Sequence, residues 1–167
     1  DYIFEPEYLP VIAACEELGY PLLFHPLDGV ANHYGGTERL AGESFIYNTL
    51  GFPFETATTA VKFITCGLLD RFPKLDVVLP HSGGCFPYIA GRIEHSIRKG
   101  VTNIELKQPF RDYVRRFHYD SLAYYPETLK FMIDVVGVDR VVIGTDNYAK
   151  MDVDQPNALV HELGLAP

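Results

Sequence analysis

Apolar positions along the chain alternate between two periods. Residues 7 to 18 set Leu9, Ile12, Ala13 and Leu18 near helical spacing, with Gly19 as a stop. "YPLLFHP" is then a short apolar run of the kind a buried strand makes. A stretch of about 25 residues with Gly29, Gly35, Gly36 and Gly42 follows, longer than a plain connection and expected to be a functional lid. "GFPFETATTAVKFITCGLLDRFPKL" predicts a second helix. Thr56, Thr58 or Thr59 stands near its start, Val61, Ile64, Leu68 and Leu69 share one face, and Phe72-Pro73 ends it. "DVVLP" is a strand, "FPYIAGRIEHSIRKG" a helix closed by basic residues and Gly100, and "PFRDYVRRF" a short segment before the strand-like "FHYDSLAYY". "PETLKFMIDVVG" carries Pro126 and Glu127 in a first helical turn and Gly137 at its end. "DRVVIGTDN" is a fourth strand, and "DQPNALVHELG" a closing helix.

The predicted order is therefore helix and strand in strict alternation, with strands near 20 to 25, 76 to 80, 117 to 124 and 140 to 145. That order means a parallel sheet covered by helices, either an open doubly wound sheet or part of a (β/α)8 barrel. No G-x-G-x-x-G or Walker sequence follows any strand, so the usual nucleotide-binding marks are missing. Four βα units make half a barrel, since a whole one takes about 250 residues. The reading is one domain over residues 1 to 167. The sequence opens with a few residues of loop and then a helix, with no initiator Met, and is expected to be a fragment of a longer chain.

Composition narrows the partners. Fourteen basic residues against 22 acidic ones give a net charge of -8, which disfavours nucleic acid; "RRF" at 115 to 117 is too small to reverse it. With 47% hydrophobic residues the chain lies in the globular range. Cys15, Cys66 and Cys85 are widely spaced without a C-x-x-C pair, so neither a disulfide framework nor a zinc knuckle is expected, and a reducing cytoplasm is the expected location. No apolar run approaches the roughly 20 residues of a membrane span, so no membrane partner is expected.

Three of the four strands end in a potential metal ligand: His25 in "LLFHP", His81 in "VVLPHSGG" and Asp146 in "VVIGTD". Catalytic groups of parallel α/β folds gather at carboxyl strand ends, where diverging loops let several strands aim at one point. A lone histidine at a strand end is ordinarily a hydrogen-bonded structural residue; three such endings together point to a site. Two imidazoles and a carboxylate suit a divalent ion such as zinc, which would lower the pKa of bound water to about 7. Alternatively only His25 and Asp146 bind metal, and His81 acts beside them as acid or base.

"GFPFETATTA", "RFPKLDVVLPHSGGCFPYIAGRIEH" and "YDSLAYYPETLKFMIDVVGVDRVVIGTD" resemble the carboxyl-terminal half of the amidohydrolase superfamily branch that contains aminocarboxymuconate-semialdehyde decarboxylase and the resorcylate decarboxylases. The run from "RFPKL" through "HSGGCFPYIAGR" is the specific part; "GTD" alone is weak. The resemblance implies strands five to eight of a (β/α)8 barrel with a divalent metal, zinc or else manganese, in its mouth. It implies His25 and Asp146 as metal ligands, and His81 as a catalytic residue that activates water or moves the proton. Asp146 is also implied as a catalytic base, and Arg92 as a group reaching a substrate carboxylate across a dimer interface.

No H-x-H occurs in the 167 residues, so two of the ligands that the resemblance implies are absent and the chain alone is expected to be inactive. Asn147 stands where relatives carry Tyr, and Leu27 with the glycine-rich loop replaces an aromatic-bearing loop. His33, Tyr34 and Arg39 read as exposed loop residues. His95 and His161 read as surface residues and His118 as structural. Cys85, at a helix start that would lower a thiol pKa, reads as packing, and Glu55 with Thr56 as support for the barrel floor or the strand-five loop. The expectation is a metal-dependent nonoxidative decarboxylase of an unsaturated or aromatic carboxylic acid, working as a homodimer or larger homo-oligomer. A hydrolase of a lactone or amide on the same site, and a noncatalytic interaction domain, are the alternatives.

Overall fold

The computed structural model describes residues 3–26 and 44–165. Helix α1 spans Leu9–Leu18 and ends on Gly19, whose left-handed φ of 68° lets its N–H reach the Cys15 and Glu16 carbonyls. Of its apolar positions only Ile12 is fully buried, and Leu18 is 65% exposed. At 3.6 residues per turn Leu18 lies about half a turn round from Leu9, so it does not share the inward side of the helix.

Strand β1 is Leu22–Leu23. The expected lid and its residues Leu27, His33, Tyr34 and Arg39 lie outside the described residues. A helical turn at Ser44–Ile46 runs through a π-helical turn, Tyr47–Gly51, into α2, Phe52–Thr65. Pro53 sits in its first turn, so α2 begins ahead of the threonines expected to cap it. Thr56 and Thr58 donate instead to the Phe52 and Phe54 carbonyls, at 3.0 and 2.9 Å. The expected single long helix is broken at Gly67, left-handed with φ 75°, before α3 at Leu68–Arg71.

Strand β2 is Val77–Leu79, α4 Phe86–Arg98, α5 Phe110–Val114 and β3 Phe117–Asp120. Helix α6 is Pro126–Val136, β4 Val141–Val142 and α7 Ala158–Glu162. Strand β3 stops short of the expected residue 124 because the Asp120 carboxylate accepts the Leu122 N–H at 3.1 Å and turns the chain.

The four strands form one parallel sheet in the order β1-β2-β3-β4, with Leu22 opposite Val77, Val77 opposite Phe117 and Tyr119 opposite Val141. Strictly sequential order is that of barrel staves; a doubly wound sheet reverses direction at a switch point. Beneath it Ala57, Ala60, Phe63 and Ile64 of α2 join Val77, Leu79, Phe86, Phe117 and Tyr119 in one buried cluster. The Phe117 ring takes Phe86 edge-on at 5.9 Å and Phe63 stacked at 6.4 Å. No described helix is long and apolar enough to cross a membrane.

Candidate active site

The carboxyl ends of β1, β2 and β4 carry His25, His81 and Asp146 to one cavity of about 640 Å³, lined also by Phe52, Tyr124 and Lys150. The two imidazoles stand 5.0 Å apart between ring centroids. Phe52 lies parallel to His81 at 6.1 Å and edge-on to His25 at 5.4 Å, so α2 contributes an aromatic wall. Sequence order separates these groups widely; parallel staves place their ends side by side.

His81 is held in an unusual backbone state. It and Ser82 are both left-handed, with φ of 57° and 54°. Such strain in residues with side chains persists only where the surroundings over-determine it, and it clusters at active sites. The Asp120 carboxylate supplies that restraint, accepting the His81 N–H at 3.0 Å and the Ser82 N–H at 2.7 Å, besides that of Leu122. The Ser82 hydroxyl returns a bond to the Asp120 carbonyl at 3.2 Å. Gly84, φ 60°, presses on α2 so closely that a Cβ would run into the Pro53 carbonyl oxygen. Asp146 is left-handed as well, φ 50°. Gly144 of "GTD" admits β4 to this corner, since a Cβ there would stand 2.8 Å from Cβ of Asp120.

The His25 ring bonds through Nδ1 to the Pro26 carbonyl at 2.8 Å. A carbonyl only accepts, so Nδ1 is the donor; in the neutral ring this puts the lone pair on Nε2, the form in which a histidine ligates a metal. The His81 pKa is lowered from 6.5 to about 4, chiefly by burial and next by His25, against the pull of Asp146. His81 is therefore neutral at neutral pH. Burial outweighs three N–H donors at Asp120 and leaves its pKa raised. Burial, then Asp146 and Asp120, raises that of Tyr124, whose hydroxyl donates to the Met151 carbonyl at 3.1 Å.

Among the described residues no three His, Cys, Asp or Glu side chains stand together closely enough to hold a metal ion. His25, His81 and Asp146 share a cavity without forming a ligand set by themselves in this chain. His25 and Asp146 have the donor chemistry of a divalent site, a lone-pair imidazole and a carboxylate. Arg92 lies on the exposed side of α4 and is not among the residues lining the cavity. His95 and His161 are exposed; His118 is half-buried within β3, opposite Val78. Burial raises the Cys85 thiol pKa, the reverse of the expected effect of a helix start, because desolvation of the thiolate prevails. Sequence reasoning missed Asp120, Phe52, Tyr124 and Lys150 as site residues. None of the four carried a signal of its own: Asp120 lay inside the predicted strand 117 to 124, and its partners His81 and Ser82 are distant in sequence.

A family model described as amidohydrolase matches residues 1–159. The chain belongs to the amidohydrolase family. Its four βα units are a part of the (β/α)8 barrel of this family. The chain is 33% identical over 144 residues to 2-amino-3-carboxymuconate-6-semialdehyde decarboxylase of Dictyostelium discoideum, covering 85% of this chain and 38% of the relative. It is 31% identical over 148 residues to gamma-resorcylate decarboxylase of a Rhizobium species, covering 84% and 44%. A solved 2,6-dihydroxybenzoate decarboxylase, complexed with 2,6-dihydroxybenzoate, superposes with a TM-score of 0.82 at 26% identity, over 99% of this chain and 51% of the other. This amidohydrolase chain thus spans less than half the length of the curated relatives and about half that of the solved one.

Proposed function

We propose that this chain supplies the carboxyl-terminal half of the site of a metal-dependent nonoxidative decarboxylase whose substrate is a flat, unsaturated or aromatic carboxylic acid. The observation that carries the reading is the meeting of His25, His81 and Asp146 in one aromatic-walled cavity. Names of similar proteins support it, since the two curated relatives and the solved one are all decarboxylases.

His25 and Asp146 would hold a divalent ion, zinc or manganese, together with ligands from outside this chain. When bound, the ion supplies positive charge beside the oxygens of an anionic substrate. In the reaction the bond between ring carbon and carboxylate breaks, CO2 leaves with the carboxylate oxygens, and the electron pair left on carbon takes a proton. His81, neutral at rest, would accept a proton from a substrate hydroxyl or water and deliver it to that carbon. A histidine whose pKa is about 4 gives up an added proton readily, which suits a weakly basic carbon. Asp146 would be ligand and, in turn, base.

A carboxylate entering an apolar-walled cavity needs a cationic or hydrogen-bonding partner. Lys150 is the one Lys or Arg among the described lining residues and would take that role within the chain. Arg92, exposed on α4, would reach a substrate carboxylate only in a neighbouring copy of a homo-oligomer.

The test uses the complete protein that carries this sequence, loaded with Zn2+ or Mn2+ and given 2,6-dihydroxybenzoate and a panel of aromatic acids in 18O-water. CO2 release with no label in the aromatic product is the expected result. Labelled oxygen incorporated by ring or amide opening would establish the hydrolase reading instead.

A further inference from the structure

The His81 ring meets one polar side chain from a neighbouring helix: Thr56 Oγ1 of α2 lies 3.1 Å from Nδ1. Thr56 is fully buried, so bulk water does not compete for its hydroxyl. That hydroxyl has one proton, and it also lies 3.0 Å from the Phe52 carbonyl four residues earlier, an oxygen that can only accept. Threonine in a helix commonly places its hydroxyl on that carbonyl, and Thr58 does the same two residues on, on Phe54 at 2.9 Å. With its proton committed there, Thr56 Oγ1 is left as an acceptor toward His81.

We propose that Thr56 is a positioning residue that fixes His81 in the tautomer with its proton on Nδ1 and its lone pair on Nε2. The ring is thereby oriented from two sides. Asp120 sets the backbone through the His81 and Ser82 N–H groups, and Thr56 sets which nitrogen is free in the ring that lines the cavity. Parallel packing of Phe52 on His81 restrains the same ring plane, and Phe52 begins the helix that carries Thr56. The first turn of α2 is thus a single bracket for His81: a ring wall, a carbonyl that takes the threonine proton, and the threonine itself. The assignment of the tautomer stands on geometry alone; its consequence for turnover rests on the reading of His81 as the proton carrier. An imidazole with a fixed tautomer offers one nitrogen to the reacting atoms without a preceding proton exchange.

The experiment is a long-range 1H–15N spectrum of the histidine rings in the full chain, with the His81 signals assigned by their loss in His81→Gln. The expected pattern is a protonated Nδ1 and a lone-pair Nε2. Thr56→Ser, which keeps the hydroxyl, retains it. Thr56→Val, which matches threonine in shape and lacks the hydroxyl, mixes the tautomers. A wild-type spectrum showing the proton on Nε2, or a Thr56→Val spectrum unchanged from wild type, overturns the proposal; the wild-type arm decides it even where the valine variant does not fold. In the complete protein, CO2 release from 2,6-dihydroxybenzoate should fall about 10-fold to 100-fold in kcat in Thr56→Val with KM nearly unchanged, and be restored in Thr56→Ser. If the spectra behave as expected but His81→Gln retains turnover, the positioning role stands and the proton-carrier reading fails.

Discussion

At the scale of single residues, His81 concentrates the physics of the site. Its ring is half-buried beside a second imidazole, and both facts favour the uncharged form. The unfolded chain, with a histidine pKa near 6.5, binds more protons than the folded chain between that value and about 4. Stability linked to His81 is therefore intact above pH 6.5 and declines as the pH falls toward 4. Urea unfolding of the metal-free chain at pH 7.0, 6.0, 5.0 and 4.5 should show this decline, and His81→Asn, which keeps an N–H donor but cannot titrate, should flatten it. Equal slopes in the two proteins would remove His81 from the account. The place of His81 in the cavity was legible because a charged-capable residue ended an apolar run. Those of Thr56 and Asp120 were not, since a threonine in a helix and an aspartate after a strand are commonplace until the other end of each hydrogen bond is known.

At the scale of elements, the connection from β2 to α4 is the piece that aims the site. Two consecutive left-handed residues followed by Gly83 and Gly84 make a turn that brings its backbone against α2 at Pro53 and against the Tyr119 ring. Gly84→Ala adds both a positive-φ penalty and a collision with main chain that cannot swing aside, and should destabilise the chain by about 3 kcal/mol. Chemical denaturation measures that loss; a change within about 0.5 kcal/mol, the range of ordinary surface substitutions, would mean α2 yields and does not brace the turn. Sequence periodicity found the helices and strands but misplaced their ends. Strand β3 stops at Asp120 and α2 starts at Phe52, because a carboxylate accepting backbone N–H groups and a proline in a first turn outweigh the apolar pattern that suggested otherwise.

At the scale of the whole molecule, four staves aim three ligand-type side chains at one point, yet no three of them close round an ion among the described residues. Titration calorimetry of this chain alone with Zn2+ should accordingly show weak binding, with a Kd above about 1 µM, where an affinity near 8 kcal/mol is reached. A tight stoichiometric site would show that the chain closes a ligand set by itself and that no ligand from outside is needed. The sequence by itself determined the alternation of strand and helix and the strand-end residues His25, His81 and Asp146, because hydrophobic period and strand-terminal chemistry are local properties of the chain; the half-barrel reading rested on the family resemblance of its motifs. Only the tertiary structure decided the sequential strand order, the left-handed turn held by Asp120, the contact between His81 and Thr56 and the exclusion of Arg92 from its own cavity. Each of these depends on which distant residues meet, and the one-dimensional pattern carries no distance between them.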